Sequence, residues 1–278
     1  MNPNAAKEIK TMKLYTDVDR VYNELKELGY SRTDPLKVED VCKVDEWHYK
    51  GTAAVDDAIK ILRINKEHTV LDFGSGLGGP ARHLAANTGC HVVALELQED
   101  MHESAIDLTK RCGLSDKVKL QCGDILKLEH SESYDFLVSW LVILHIEDRK
   151  TLFKKCLDLL KPGGKIYIED YYKLADISPS IAEDLKEAVY VSYLPTKEEY
   201  IKQMADEGFT NIQFDDLTGT WRPHVKERYQ NALANRERNV RVLGEVSFEE
   251  ILYFFSKISG VFESGSVGGC RIVASKAQ

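Results

Sequence analysis

Residues 70–85 read VLDFGSGLGGPARHLA, with Gly74, Gly76, Gly78 and Gly79 crowded into six positions between an apolar run and a helical pattern. Without Cβ atoms, a strand-to-helix turn of this kind lets a ligand touch the main chain. The spacing satisfies GxGxxG, so on the glycines alone a dinucleotide loop and a ligand-free tight turn are both open.

The turn heads an alternating series. TVLDFG (69–74), HVVALEL (91–97), KVKLQCGD (117–124), YDFLVSWLVI (134–143) and GKIYIEDYY (164–172) read as strands. Between them lie the helical segments GPARHLAANT, EDMHESAIDLTKRCGL and DRKTLFKKCLDLL, the last stopped by KPGG. This alternation predicts an α/β fold with a parallel sheet covered by helices. Upstream, VDRVYNELKELGY and VDDAIKILRI show apolar residues at helical spacing and are expected to pack on and over the sheet. Downstream, two helices flank Pro195, with Thr196 as an N-cap. FTNIQFDDLT then reads as a strand, HVKERYQNALANRERNVRVL as one long charged helix, and VGGCRIVASK as a final strand.

Composition narrows the partner. The 278 residues, 43% hydrophobic and 29% charged, fit an ordinary globular protein. With 37 Lys+Arg against 45 Asp+Glu there is no electrostatic footprint for nucleic acid or an anionic membrane, which leaves a small molecule. The six cysteines are scattered, with no CxxC pair and no zinc-ligand spacing, so no metal site is expected. Free thiols and the lack of an apolar leader or spanning run lead to the expectation of a cytoplasmic location. A monomer and a homodimer are equally compatible with the sequence.

Three further features separate the ligands. Asp72 lies two residues before the first glycine, where a carboxylate suits a cation better than a pyrophosphate. Glu96 closes the second strand, placed to accept from both ribose hydroxyls. Gly123-Asp124-Ile125 ends the third strand with a carboxylate and an apolar side chain, suited to an adenine amine and ring face. Alone, Glu96 would read as a solvated strand end and Asp124 as a turn residue; together they stand in register.

This set, with Leu160-Lys161-Pro162-Gly163-Gly164, resembles the class I S-adenosylmethionine-dependent methyltransferases over about half the chain. The resemblance implies a Rossmann-like, mostly parallel seven-stranded sheet with helices on both faces, its final strand antiparallel, under an N-terminal helical lid. It implies residues 1–66 as lid and cofactor-covering segment, and 67–278 as methyltransferase core with helical insertions around the substrate. S-adenosyl-L-methionine is the implied cofactor and S-adenosyl-L-homocysteine its product. Its implied contacts are Asp72, Gly74, Gly76, Gly78, Glu96, Leu97, Asp124, Ile125 and Ser139, with His48 and Tyr49 from the WHYKGTAAV segment.

KLYTDVDRVYNEL, VSWLVILH and LFKKCLDLLKPGGKIYIEDYY further resemble the phosphoethanolamine N-methyltransferase family, and more loosely the sarcosine/dimethylglycine N-methyltransferases. That resemblance implies a catalytic dyad of Tyr15, in Tyr15-Thr16-Asp17, and His145, after Leu144. Taken alone, a His in an apolar segment reads as a core residue and Tyr15 as a helix-packing aromatic. The chain departs from the family where substrate is held. Trp140 and Leu141 replace an Arg-Asp pair and Val191 replaces a phosphate-binding Arg, while Tyr171 and Tyr193 fall on substrate-contacting tyrosines. A phosphate dianion without its Arg is poorly held. The substrate pocket expected from Trp140, Leu141, Tyr171, Val191 and Tyr193 favours an amine with an apolar or aromatic body, or an amino acid derivative. Trp140 and Leu141 as core residues facing away is the competing reading. The alternatives are a phosphoethanolamine or glycine-derivative N-methyltransferase, an O- or C-methyltransferase of the same fold, or a nicotinamide oxidoreductase. The cations of residues 222–243 could anchor a carboxylate but are expected to form a solvated helix face.

Overall fold

The computed structural model describes residues 11, 12, 14–45, 47–128, 133–191 and 193–278. Among the described residues the first three helices are α1 (Arg20–Glu27), α2 (Val38–Asp45) and α3 (Thr52–Leu62). Then β1 (Thr69–Phe73), α4 (Gly79–Thr88), β2 (His91–Glu96), α5 (Glu99–Arg111), β3 (Val118–Cys122), β4 (Tyr134–Trp140), α6 (Arg149–Leu159) and β5 (Leu160–Lys173) alternate. The rest comprises α7 (Pro179–Val189), α8 (Lys197–Asp206), β6 (Thr210–Asp216), α9 (Thr218–Ala234), α10 (Arg236–Leu243), α11 (Glu245–Glu263) and β7 (Val267–Ser275).

The seven strands lie in the order β3-β2-β1-β4-β5-β7-β6, with β7 antiparallel to both its neighbours and the pairs from β3 to β5 parallel. Because β1 pairs with β2 on one side and β4 on the other, chain order reverses at β1/β4, where a crevice opens beyond the carboxyl ends of the strands. Alternate residues of each strand face opposite layers. Leu71, Phe73, Val93, Leu95 and Leu137 pack with Leu152, Phe153 and Cys156 of α6. Val70, Val92, Ala94 and Val138 pack with Ala54, Val55 and Ala58 of α3 and Ala81 and Leu84 of α4. Since α3 shares this core with β1, a boundary at residue 66 separates elements buried against each other.

Pro195 separates α7 from α8, and Thr196 caps α8 in a reciprocal capping box with Glu199. Two expectations need correction. The charged segment is not one helix, because it divides at Asn235 into α9 and α10, and α9 starts upstream at Thr218. The helix α11 has no counterpart in the sequence reading, although Phe248, Ile251, Phe254, Ile258, Val261 and Phe262 recur at helical spacing and are buried. Of these, Phe254, Ile258, Val261 and Phe262 roof the carboxyl end of the sheet together with Trp221, Tyr171 and Tyr49. The glycines of VGGC make this possible, since a Cβ at Gly269 would collide with the Trp221 ring and one at Gly268 with Thr218.

Candidate active site

Beyond the carboxyl ends of β1, β2 and β4 lies a cavity of about 870 Å³. One part of its wall is loop backbone and carboxylates: Asp72, Gly74, Ser75, Gly76, Glu96 and Asp124. The other is mainly aromatic: Tyr15, Trp47, Tyr49, Trp140, Tyr171 and Phe254, with His145 and Arg228 among them.

The glycine loop is shaped by backbone requirements. Gly74, Gly76 and Gly78 have φ of 73°, 55° and 79°, a region costly for residues with a Cβ, and a Cβ at Gly74 would collide with Val142. The Gly76 N–H donates to Glu96 Oε2 at 2.8 Å and the Gln98 N–H to Oε1 at 2.9 Å. Loop and second strand are thereby locked together, and each carboxylate oxygen retains a lone pair for a ligand. Asp72 is 1% exposed, and its Oδ2 lacks a hydrogen-bond partner among the described residues. Burial first, then the charge of Glu96, push its pKa up to about 8. A buried carboxyl of this kind calls for a cation. Ser75 Oγ and Gln98 Oε1 are likewise buried without partners. Asp124 Oδ1 accepts from the Leu126 N–H at 3.0 Å, so this residue caps a turn as well as lining the cavity. Orphaned acceptors, bare backbone and a strand-end carboxylate fit an adenosyl and methionyl ligand.

His145 ends a short 3₁₀ turn (Ile143–His145) after β4. Its Nδ1 is buried and lacks a partner among the described residues, while backbone carbonyls of Tyr190 and Val189 accept from the ring. That arrangement puts the proton on Nε2 and leaves the Nδ1 lone pair open. Burial holds the His145 pKa down to about 4, so the imidazole is neutral at neutral pH. Tyr15 stacks on Trp47 with ring centroids 5.9 Å apart. Burial, with the charge of Glu96 next, raises its pKa well above the ordinary phenol, so its hydroxyl keeps its proton. The hydroxyls of Tyr49 and Tyr171 hydrogen-bond to each other, and both rings are buried. Trp140 is packed 5.5 Å from His48 and 5.8 Å from Tyr167, yet lines the cavity with Nε1 unpartnered. It is thus both core and wall. Leu141 holds φ at 56°, backbone strain next to the site. Beneath them, buried Asp170 accepts from the Tyr171 N–H at 2.7 Å and also from the Leu144 backbone. One carboxylate therefore ties the His145 turn to the Tyr171 strand.

Tyr15, His145, Asp72, Gly74, Gly76, Glu96, Leu97, Asp124, Ile125, His48, Tyr49, Trp140, Leu141, Tyr171 and Tyr193 all line this cavity. Three expected contacts do not. Gly78 turns away, and a Cβ there would meet Arg82 Nη1 at 2.9 Å, so its freedom serves the start of α4. Ser139 is 0% exposed and donates to the Phe73 carbonyl at 3.1 Å. Val191 lines a separate cleft of about 430 Å³ with Leu185 and Leu194. Sequence reasoning missed Met12, Leu14, Gln98, Met101, Tyr190, Arg228 and Phe254 on the wall. Arg228 also corrects the expectation of a solvated helix face, since α9 turns it inward. For Arg236, Arg238 and Arg241 that expectation describes what is seen, with exposed ion pairs to Glu245 and Glu249, Glu24, and Glu27.

Among the described residues no helix is long and apolar enough to cross a membrane, and no cluster of three His, Cys, Asp or Glu could hold a metal.

Residues 70–164 match the family described as methyltransferase domain. The chain is 27% identical over 243 residues to phosphoethanolamine N-methyltransferase 3 of Arabidopsis thaliana, covering 86% of this chain and 49% of that protein. It is 28% identical over 178 residues to the glycine/sarcosine/dimethylglycine N-methyltransferase of Actinopolyspora halophila, covering 64% of this chain and 31% of that protein. Among solved structures it superimposes with a TM-score of 0.81 at 20% identity on phosphoethanolamine N-methyltransferase 2 of Haemonchus contortus, in complex with phosphomonomethylethanolamine and S-adenosylhomocysteine. That match covers 100% of this chain and 61% of the other, and it shows the fold. The chain spans about half the length, or less, of these curated relatives.

Proposed function

We propose that this chain is a class I S-adenosylmethionine-dependent methyltransferase and that it methylates the nitrogen of a small amine with an apolar or aromatic body, a reading supported by the methyltransferase-domain match and the N-methyltransferase relatives. The observation that carries the proposal is a buried His145, its Nδ1 without a partner among the described residues, on the same cavity as Tyr15 and a wall of aromatic rings.

Asp72 would hold the ammonium of the cofactor's methionyl group, Glu96 its ribose hydroxyls, and Asp124 with Ile125 its adenine. When bound, the cofactor supplies a methyl already activated on a sulfonium, which leaves alignment and water exclusion to the protein. A protonated amine has no lone pair to attack with, so a proton must leave. His145 takes it at Nδ1 while the Val189 and Tyr190 carbonyls steady the Nε2 proton. Tyr15, kept protonated by burial, positions the amine, and Trp47, Tyr49, Trp140 and Tyr171 enclose its body. Aromatic faces also attract the methylated ammonium product as the charge settles on nitrogen. The segment before α3, from which Tyr15 and Trp47 come, acts as the cover. Six free thiols support a reducing, cytoplasmic setting.

The experiment is incubation of the full chain with labelled methyl donor and matched panels of arylalkylamines, phenols and carboxylates. Label on the amines supports the reading; label confined to phenols or to carbon makes the enzyme an O- or C-methyltransferase.

A further inference from the structure

Arg228 is the one cavity-lining arginine among the described residues, and its electrostatics differ from those of the other arginines nearby. Arg82, fully buried, is paired with Asp45. Arg236, Arg238 and Arg241 each have a glutamate partner. Arg228 has no carboxylate within ion-pair reach among the described residues. Its polar contact is a 3.4 Å hydrogen bond donated to the Trp47 carbonyl, and its guanidinium lies 4.3 Å from the Phe255 ring centroid. A second buried cation, Arg20, stacks 3.9 Å from the centroid of the Trp47 ring, again with no carboxylate in ion-pair reach among the described residues. The groups that act electrostatically on Arg228 are the phenols Tyr15, Tyr49 and Tyr171 and the Arg20 guanidinium, with no anion among them. His224, one turn earlier on α9, packs 5.6 Å from Tyr49 and is held neutral by burial.

An uncompensated guanidinium on a largely apolar wall is costly to desolvate, and its planar fork matches a carboxylate with two parallel hydrogen bonds. We infer that Arg228 is an anion-recognition residue and that the acceptor is a zwitterion, an aromatic or apolar amine carrying a carboxylate that Arg228 binds. The inference rests on the proposal that this half of the cavity receives the acceptor. Arg20 does not line the cavity, so the guanidinium presented to a ligand is that of Arg228 alone, which balances one carboxylate and would leave a phosphate dianion unmatched. In the Tyr49–Tyr171 hydroxyl pair one O–H is spent on the other, which leaves one O–H able to donate to the same oxygens. The amino group then lies towards His145 and the carboxylate towards α9, so the two ends of the molecule are distinguished by charge.

The test is calorimetric binding to the full chain loaded with S-adenosylhomocysteine, using 3-phenylpropanoate, its uncharged amide and phenethyl phosphate as probes. None requires methyl transfer. The carboxylate should bind at least about tenfold more tightly than the amide, as expected for charge-assisted hydrogen bonds. Arg228→Gln should erase that preference without changing affinity for S-adenosylhomocysteine, and Arg228→Lys should keep part of it. The inference is overturned if the wild type binds carboxylate and amide equally, if Arg228→Gln keeps the preference, or if that variant loses S-adenosylhomocysteine binding instead. Tighter binding of the phosphate than of the carboxylate overturns the choice of anion. If carboxylate binding tracks Arg228 while no amine is ever methylated, the N-methylation proposal fails and this site stands.

Discussion

Around the glycine loop the cavity wall is main chain and carboxylate, supplied by consecutive strand ends between Asp72 and Asp124 and tied by the Gly76 and Gln98 amides to Glu96. Around His145 it is aromatic side chain, drawn from the N-terminal segment, β4, β5 and α11, with the Arg228 guanidinium from α9. The first half is made by the order of the sheet itself, and the second by helices that fold back over it. A fold can therefore keep its donor site while its acceptor site changes with the residues on those helices.

If the halves are functionally separate, variants should divide cleanly between them. The largest effect is expected from His145→Ala, with turnover down about 10²–10⁴-fold from loss of the base while the dissociation constant for S-adenosylhomocysteine stays put. Tyr15→Phe should lower turnover less and leave cofactor binding unchanged; parallel kinetics and calorimetry would check both.

Asp72→Asn should do the reverse, weakening S-adenosylhomocysteine by about 10–100-fold through loss of a charged partner. Its pH dependence sharpens the assignment. In the ligand-free protein burial and the charge of Glu96 push the Asp72 pKa up to about 8, which favours its protonated form at neutral pH. An ammonium ligand binds the ionised form, so binding releases a proton, and affinity should rise as pH increases towards 8 and then level off. Titrations in buffers of different ionisation enthalpy would detect that proton, and the slope should vanish in Asp72→Asn.

A smaller effect is expected on stability. Gly74→Ala combines a left-handed φ with a collision against Val142, and should destabilise by about 1–3 kcal/mol, visible as a lowered melting temperature. The smallest belongs to Arg238→Ala, whose ion pair with Glu24 joins α10 to α1 outside both halves and is partly exposed. It should cost about 0.2–1 kcal/mol and leave turnover unchanged.

The same division explains what could be read before the structure. The donor half was legible because its residues follow one another in βα order, and each carries its reason locally: a glycine where backbone must be bare, a carboxylate where a strand stops. Gly78 was misplaced because spacing alone does not say which glycine of a cluster faces the ligand and which faces Arg82. The acceptor half was only partly legible. Tyr15 and His145 stood out by motif, but Arg228 sat in a charged run whose neighbours are solvated, and only the packing of α9 decides which cation turns inward. Phe254 lay in a helix whose apolar spacing was readable and went unread. Val191 falls on a substrate-contacting position by resemblance, yet the turn after α7 carries it into the adjoining cleft.

The most direct test offers the wild-type chain one acceptor that carries both an amine and a phenol. Tyrosine, which also carries the carboxylate inferred for the acceptor, incubated with isotopically labelled S-adenosylmethionine and analysed by fragmentation mass spectrometry, should carry the label on nitrogen. Label on the phenolic oxygen would contradict N-methylation in this cavity.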